Sequence, residues 1–186
     1  MLCGCHRQLS TGVSMPFHGR FIINNAESSS LAIYGVGSFM AFSGNGIYRN
    51  RGGCFAIPDN GPLPPGKYWI VDRPGGGFLS RVYTLAKDIP TWMTDTPTDH
   101  SEWFALYRDD GKIDDFTWVN GVTRGSFRLH PIGPLGISQG CITLQHHSDF
   151  TMIRNAFAST DKIPVRSTGL QAYGWIEVIA HAISCP

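Results

Sequence analysis

Residues 126–144 read SFRLHPIGPLGISQGCITL, and this stretch decides how the chain is read. SFRLH alternates apolar and polar side chains, which predicts a strand with Phe127 and Leu129 on one face and Arg128 and His130 on the other. The following PIGPLGISQG is too rich in Pro and Gly for helix or strand, so it is a loop. It can bring His130 back against Cys141, eleven positions later.

Working outward, the same grammar of short apolar runs and Pro/Gly punctuation recurs. FHGRFIINN and SLAIYGVGSFMAF at 17–42 read as strands, followed by a turn at Gly44–Gly46. GPLPPGKYWIVD places a rigid turn before a strand in which Tyr68, Ile70 and Asp72 share a face. WFALYR, DDGK and IDDFTWV are predicted to form a hairpin across Asp110-Gly111, and Asn120-Gly121 marks a second turn. After ITL, Ser148-Asp149 is expected to cap a helix through FTMIRNAF, with Phe150, Ile153 and Phe157 on one face. QAYGWIEVIAHAI is a closing strand.

The composition agrees. In 186 residues, 42% hydrophobic and 16% charged side chains argue against disorder, and 22 Gly with 12 Pro imply many turns between short strands. The predicted fold is mainly β, with one or two short helices, in a single domain over 16–186 after a flexible 1–15. A formal net charge of +1 without a Lys/Arg run argues against nucleic acid as partner. Neither a membrane span nor a secretory signal peptide is recognisable. Residues 88–115 carry a charge of −6 and read as a solvated loop, a lid or a partner-docking segment. Trp92 within it is a candidate cover for a site or a platform for a sugar, whereas the other tryptophans read as core.

The chemistry-bearing residues converge on the opening stretch. A cysteine is nucleophilic as thiolate and needs a base or cation beside it, and His130 is the natural supplier for Cys141. Gly140 allows close backbone approach, so its N–H and that of Cys141 are candidates for an oxyanion hole. Ser138 is placed to bond the imidazole or the loop backbone, and Arg128 to bind a substrate carboxylate or form a surface salt bridge. Five cysteines are too few for a disulfide scaffold. Cys54 is either a core thiol or the partner of Cys185. Cys3-Gly-Cys5-His6 lacks a second half-site, and the adjacent His146-His147 would point apart, so neither a metal nor another cofactor is called for.

His130 followed by Ser138-Gln139-Gly140-Cys141-Ile142 resembles the His…Ser/Thr-x-Gly-Cys motif of L,D-transpeptidases. The run Trp103–Leu144, with GPLPPGKYWIVDR upstream and YGWIEVI downstream, resembles more closely the L,D-transpeptidase-like effectors delivered by bacterial type VI secretion machinery. The resemblance implies a β-rich catalytic fold in which Cys141 attacks, and His130 activates it at, the bond between the diamino acid and D-alanine of peptidoglycan stem peptides. It implies a chain made in the cytoplasm, delivered to the periplasm of a target cell, and countered by a cognate periplasmic immunity protein. The short His-to-Cys loop, Gln139 in place of a common His, and Thr143 in place of Arg or Asn leave the acceptor open: water, a D-amino acid or a second stem. Two rivals make different predictions. A cysteine endopeptidase or amidase would place its nucleophile before the His, as Cys54 stands before His130, and a non-catalytic wall-binding module would tolerate loss of Cys141.

Overall fold

A computed structural model describes residues 15–73, 102–181 and 185–186. The expected flexible start, Cys3-Gly-Cys5-His6, Trp92 and the 88–101 part of the acidic segment lie outside the described residues.

Eleven strands and one α-helix make up the described fold: β1 Phe17–Ile23, β2 Ser29–Ile33, β3 Gly37–Phe42, β4 Gly66–Asp72, β5 Phe104–Arg108, β6 Phe116–Val119, β7 Val122–Gly125, β8 Arg128–Pro131, β9 Ile142–Leu144, α1 His147–Ala158, β10 Ile163–Pro164 and β11 Gln171–Ala180. The large sheet runs β1-β2-β3-β9-β8-β5-β4-β11-β10, and β1 pairs in parallel with β11. That last pairing closes eight strands into a mixed barrel with no free edge among them. The β8–β9 pair is also parallel, whereas the remaining ladders of the barrel are antiparallel.

Period-two burial dictates what faces inward. Phe21 and Ile23 of β1, Leu31 and Ile33 of β2, Tyr68 and Ile70 of β4, Leu129 of β8, and Ile142 and Leu144 of β9 form one buried cluster. Trp69 and Val71, on the opposite parity of β4, are buried as well, against Ala105, Tyr107, Ile113, Val165 and Ala172. YWIV is therefore a continuous apolar run because both of its faces are covered. The helix lays Phe150, Ile153 and Phe157 on the first cluster. The Phe157 ring lies 4.9 Å from that of Phe17 and 5.4 Å from that of Tyr173.

Several sequence expectations are corrected. SLAIYGVGSFMAF is two strands, divided at Tyr34–Val36 where Gly35 turns with φ +83°. The hairpin across Asp110-Gly111 does not form. Both edges of β5 are taken by β4 and β8, so no edge remains for β6, which pairs with β7 instead. Asn120 and Gly121, with φ +50° and +80°, make the tight turn of that hairpin. The DDGK segment is tied to β6 through side chains: the Thr117 hydroxyl donates to Asp110 and accepts from Arg108 at 3.1 Å. The helix begins at His147 with His146 in the N-cap position, so Ser148 and Asp149 fall in the first turn, where the Asp149 carboxylate complements the helix dipole. Trp118 is 70% exposed on the outer face of β6 and is not core.

Candidate active site

The parallel register pairs Leu129 with Ile142 and His130 with Thr143. Leu129, Ile142 and Leu144 take the core face, so Arg128, His130 and Thr143 project together from the opposite face, and Cys141 stands immediately before β9. Cys141 lies two residues before the partner of His130. With strands about 4.8 Å apart and a rise of about 3.3 Å per residue, their Cα atoms are about 8 Å apart. Both residues are buried, Cys141 at 8% and His130 at 6% exposure.

The imidazole is held on three sides. Nδ1 lies 2.7 Å from the carbonyl oxygen of Pro131, and Nε2 lies 3.2 Å from Thr143 Oγ1. A carbonyl only accepts, so Nδ1 carries the proton. In the neutral ring Nε2 is then the basic nitrogen, accepting from the Thr143 hydroxyl. Trp103 stacks on the ring at 4.2 Å between centroids and 19° between planes, fixing its tilt. Trp103 also walls a cavity of about 270 Å³ together with Asp72, Arg73, Glu102, Arg154 and Tyr173.

The thiol is kept protonated at rest. Its Sγ–H donates to the carbonyl of Ser126 at 3.9 Å, and burial pushes the Cys141 pKa up to about 11. The charge and backbone N–H of Arg128, and the charge of Arg124, work against that rise, whereas Asp115 adds to it. Ser126 offers this carbonyl from a left-handed backbone, φ +58°, at the junction of β7 and β8. Non-glycine residues held there are uncommon and gather at functional sites.

Arg128 occupies its predicted face, but its guanidinium fork is filled. Nη1 and Nη2 donate to Asp115 Oδ1 and Oδ2 at 2.6 and 2.8 Å, both partners buried. The salt bridge that was the alternative reading is present, but the pair is internal and not at the surface. Asp115 outweighs burial and raises the Arg128 pKa. Ser138 Oγ donates to the carbonyl of Cys141 at 2.9 Å, bracing the loop and not the imidazole. Gly140 is buried with φ +91°, and a Cβ built there would lie 2.6 Å from Arg124 Nη2 and 3.0 Å from Phe127 Cε1. Only glycine satisfies both the backbone and the space.

Arg124, Asp115, Ser126 and Trp103 enter the site without having been singled out from the sequence. Arg124 does keep the period-two parity of Arg128 and His130, which is the signal that could have found it. Cys54 is bonded to Cys185, across 131 residues, and Cys141 is the free cysteine among the described residues. His146 and His147 are exposed, with His147 Nε2 2.8 Å from the Ile132 carbonyl. Among the described residues no group of three His, Cys, Asp or Glu side chains is arranged to hold a metal ion, and no helix is long and apolar enough to cross a membrane.

The mixed β-barrel thus carries a tautomer-fixed histidine on β8 and a free cysteine immediately before β9, its parallel neighbour. The Tlde1 domain model matches residues 37–168. The chain belongs to that family, the type VI L,D-transpeptidase effectors, which act on peptidoglycan and are secreted into target cells. No curated protein matches the chain.

Proposed function

We propose that the protein is an antibacterial effector that processes peptidoglycan stem tetrapeptides through a thioester on Cys141, as an L,D-carboxypeptidase, as an L,D-transpeptidase exchanging the terminal D-amino acid, or as both. The observation that carries this reading is that Cys141, the free cysteine among the described residues, immediately precedes β9, the parallel neighbour of the strand that holds His130, whose Nδ1–H is committed to Pro131.

The chemistry follows from that arrangement. Because the resting thiol is neutral, the S–H bond breaks as the substrate arrives, and the proton passes to His130 Nε2, displacing its bond to Thr143. Sulfur attacks the carbonyl carbon of the diamino acid, and the Gly140 and Cys141 amides receive the oxyanion. Collapse breaks the C–N bond, with the Nε2 proton going to the amine of departing D-alanine. Water then attacks the thioester to release a tripeptide, or a D-amino acid amine attacks to give an exchanged tetrapeptide. Either outcome removes cross-linking donors. Ser138 and Arg128 support this centre by bracing the nucleophile loop and its neighbouring strand. The producer would protect itself with a periplasmic immunity protein that blocks the cleft.

The rival order, Cys54 before His130, is disfavoured because Cys54 is engaged in a disulfide. The deciding experiment incubates the protein with disaccharide tetrapeptide, with and without a D-amino acid, and weighs the products. Tripeptide or exchanged tetrapeptide, abolished in Cys141→Ala and His130→Ala, supports the proposal. Cleavage elsewhere in the stem, activity surviving Cys141→Ala, or binding without turnover rejects it, the last in favour of a wall-binding module.

A further inference from the structure

Two buried guanidinium groups flank the nucleophile, and they differ in one respect. Arg128 is matched by Asp115 in a bidentate pair, and both members of that pair face Cys141 with opposite effect. Asp115 offsets part of the Arg128 charge at Cys141. Arg124, on β7, is also buried, yet its Nη1 and Nη2 donate to backbone carbonyls, those of Phe55 and of Gly61, the latter at 2.9 Å. Carbonyl dipoles hold a guanidinium in place without cancelling its charge. Among the described residues no carboxylate lies within ion-pair distance of Arg124.

Position turns that difference into chemistry. The Arg124 guanidinium abuts the Gly140 α-carbon, so that a single added carbon would collide with Nη2. It stands 5.6 Å over the Phe127 ring, and the anchoring carbonyls come from the turn beginning at Cys54, the residue bonded to Cys185. Charge is therefore delivered to the peptide that precedes the nucleophile, from a support that the disulfide fastens. The other charged or titratable groups facing this region are Arg128 and Asp115, Arg73 after β4, and, around Arg124 itself, Tyr68 of β4 and Asp59.

We infer that Arg124 is an electrostatic positioning residue for the nucleophile: its unneutralised guanidinium, braced by the Phe55 and Gly61 carbonyls against Gly140, favours the Cys141 thiolate and the oxyanion formed beside it. The inference rests on Cys141 being the nucleophile. Burial of so isolated a cation is otherwise a cost, and an anion appearing on Cys141 during the reaction is the partner that offsets it. The mutual influence of the two groups runs in the expected direction: each favours the charged form of the other.

The test reads the thiol directly and needs no wall substrate. Rates of Cys141 alkylation by iodoacetamide are measured against pH for the full chain, with Cys54–Cys185 intact, in the wild type, Arg124→Gln and Arg124→Lys. Loss of the charge is expected to slow alkylation at pH 8 on the order of tenfold, equivalent to about one unit in the thiol's ionisation, while Lys stays within about threefold of wild type. An unchanged profile in Arg124→Gln, or a Lys profile displaced as far as Gln, overturns the inference. Should the Gln variant fail to fold, the wild type answers instead. Alkylation by iodoacetate puts a carboxylate on Cys141 and iodoacetamide a neutral amide of the same shape. The ¹⁵N resonances of the Arg124 guanidinium are expected to differ between these adducts, and identical resonances overturn the inference. A protein that shows the Arg124 effect but leaves tetrapeptide intact rejects the proposed function alone. One that processes tetrapeptide while Arg124→Gln alkylates normally rejects only this inference.

Discussion

Gly140→Ala probes the packing that holds the nucleophile loop, and its cost follows from two separable terms. The first is conformational: residue 140 sits at φ +91°, and an L-residue there pays about 1–2 kcal/mol. The second is steric. The new methyl would lie 2.6 Å from Arg124 Nη2 and 3.3 Å from the Gly61 carbonyl, and Arg124 cannot yield freely because both of its terminal nitrogens are tied to backbone. Overpacking of this kind costs about 1–3 kcal/mol. The sum, about 2–5 kcal/mol, is a large part of a domain's stability. With a urea m-value of about 2 kcal/mol/M, the unfolding midpoint should fall by about 1–2.5 M. Gly35→Ala is the internal control, since Gly35 has φ +83° and nothing within 4 Å of its added carbon, so it pays only the conformational term. Equal losses for the two variants would refute the Arg124 contact, and a loss at residue 140 under about 0.5 kcal/mol would refute the reasoning altogether.

Three further outcomes are expected. Reducing Cys54–Cys185 releases a ring of 131 residues, which on chain entropy removes about 5 kcal/mol, read as a lowered urea midpoint with dithiothreitol and in Cys54→Ser. Asp115→Asn leaves the Arg128 charge buried without its partner and costs about 3–5 kcal/mol, whereas the double variant Asp115→Leu/Arg128→Met is less destabilised than either single one. Because burial raises the Cys141 thiol from its usual 9.0 to about 11, the unfolded chain ionises first as pH rises. The stability that the neutral buried thiol contributes is therefore complete below about pH 9 and lost as pH climbs through about 11, and Cys141→Ser should lack that decline.

What the sequence disclosed and withheld divides along range. The strand at SFRLH and the apolar stripe of α1 are local periodicities; the stripe appears as expected, whereas the strand runs Arg128–Pro131, its start displaced by Ser126 at φ +58°. The expectation that His130 and Cys141 approach rested on the one Pro/Gly loop between them, and the parallel β8–β9 pairing sets His130 opposite Thr143, two residues after Cys141. The failures needed knowledge of what lies alongside in space. Nothing local says that β5 has no free edge, which is why the Asp110-Gly111 turn misled. The Arg128 fork could not be assigned to Asp115 from thirteen residues away, nor could Arg124 be joined to carbonyls 63 and 69 residues upstream. The disulfide was one of two open alternatives for Cys54, decided by barrel closure, in which the chain leaving β11 meets the Asn25 and Gly52 turns.

The central claim is a thioester on Cys141. Rapid quenching of the protein with tetrapeptide substrate, digestion and intact-peptide mass measurement test it most directly. The account predicts the mass of the stem minus its terminal D-alanine on the peptide containing Cys141, removable by hydroxylamine and absent in Cys141→Ser and His130→Ala. An adduct on any other residue, or steady product release with Cys141 replaced, would contradict it.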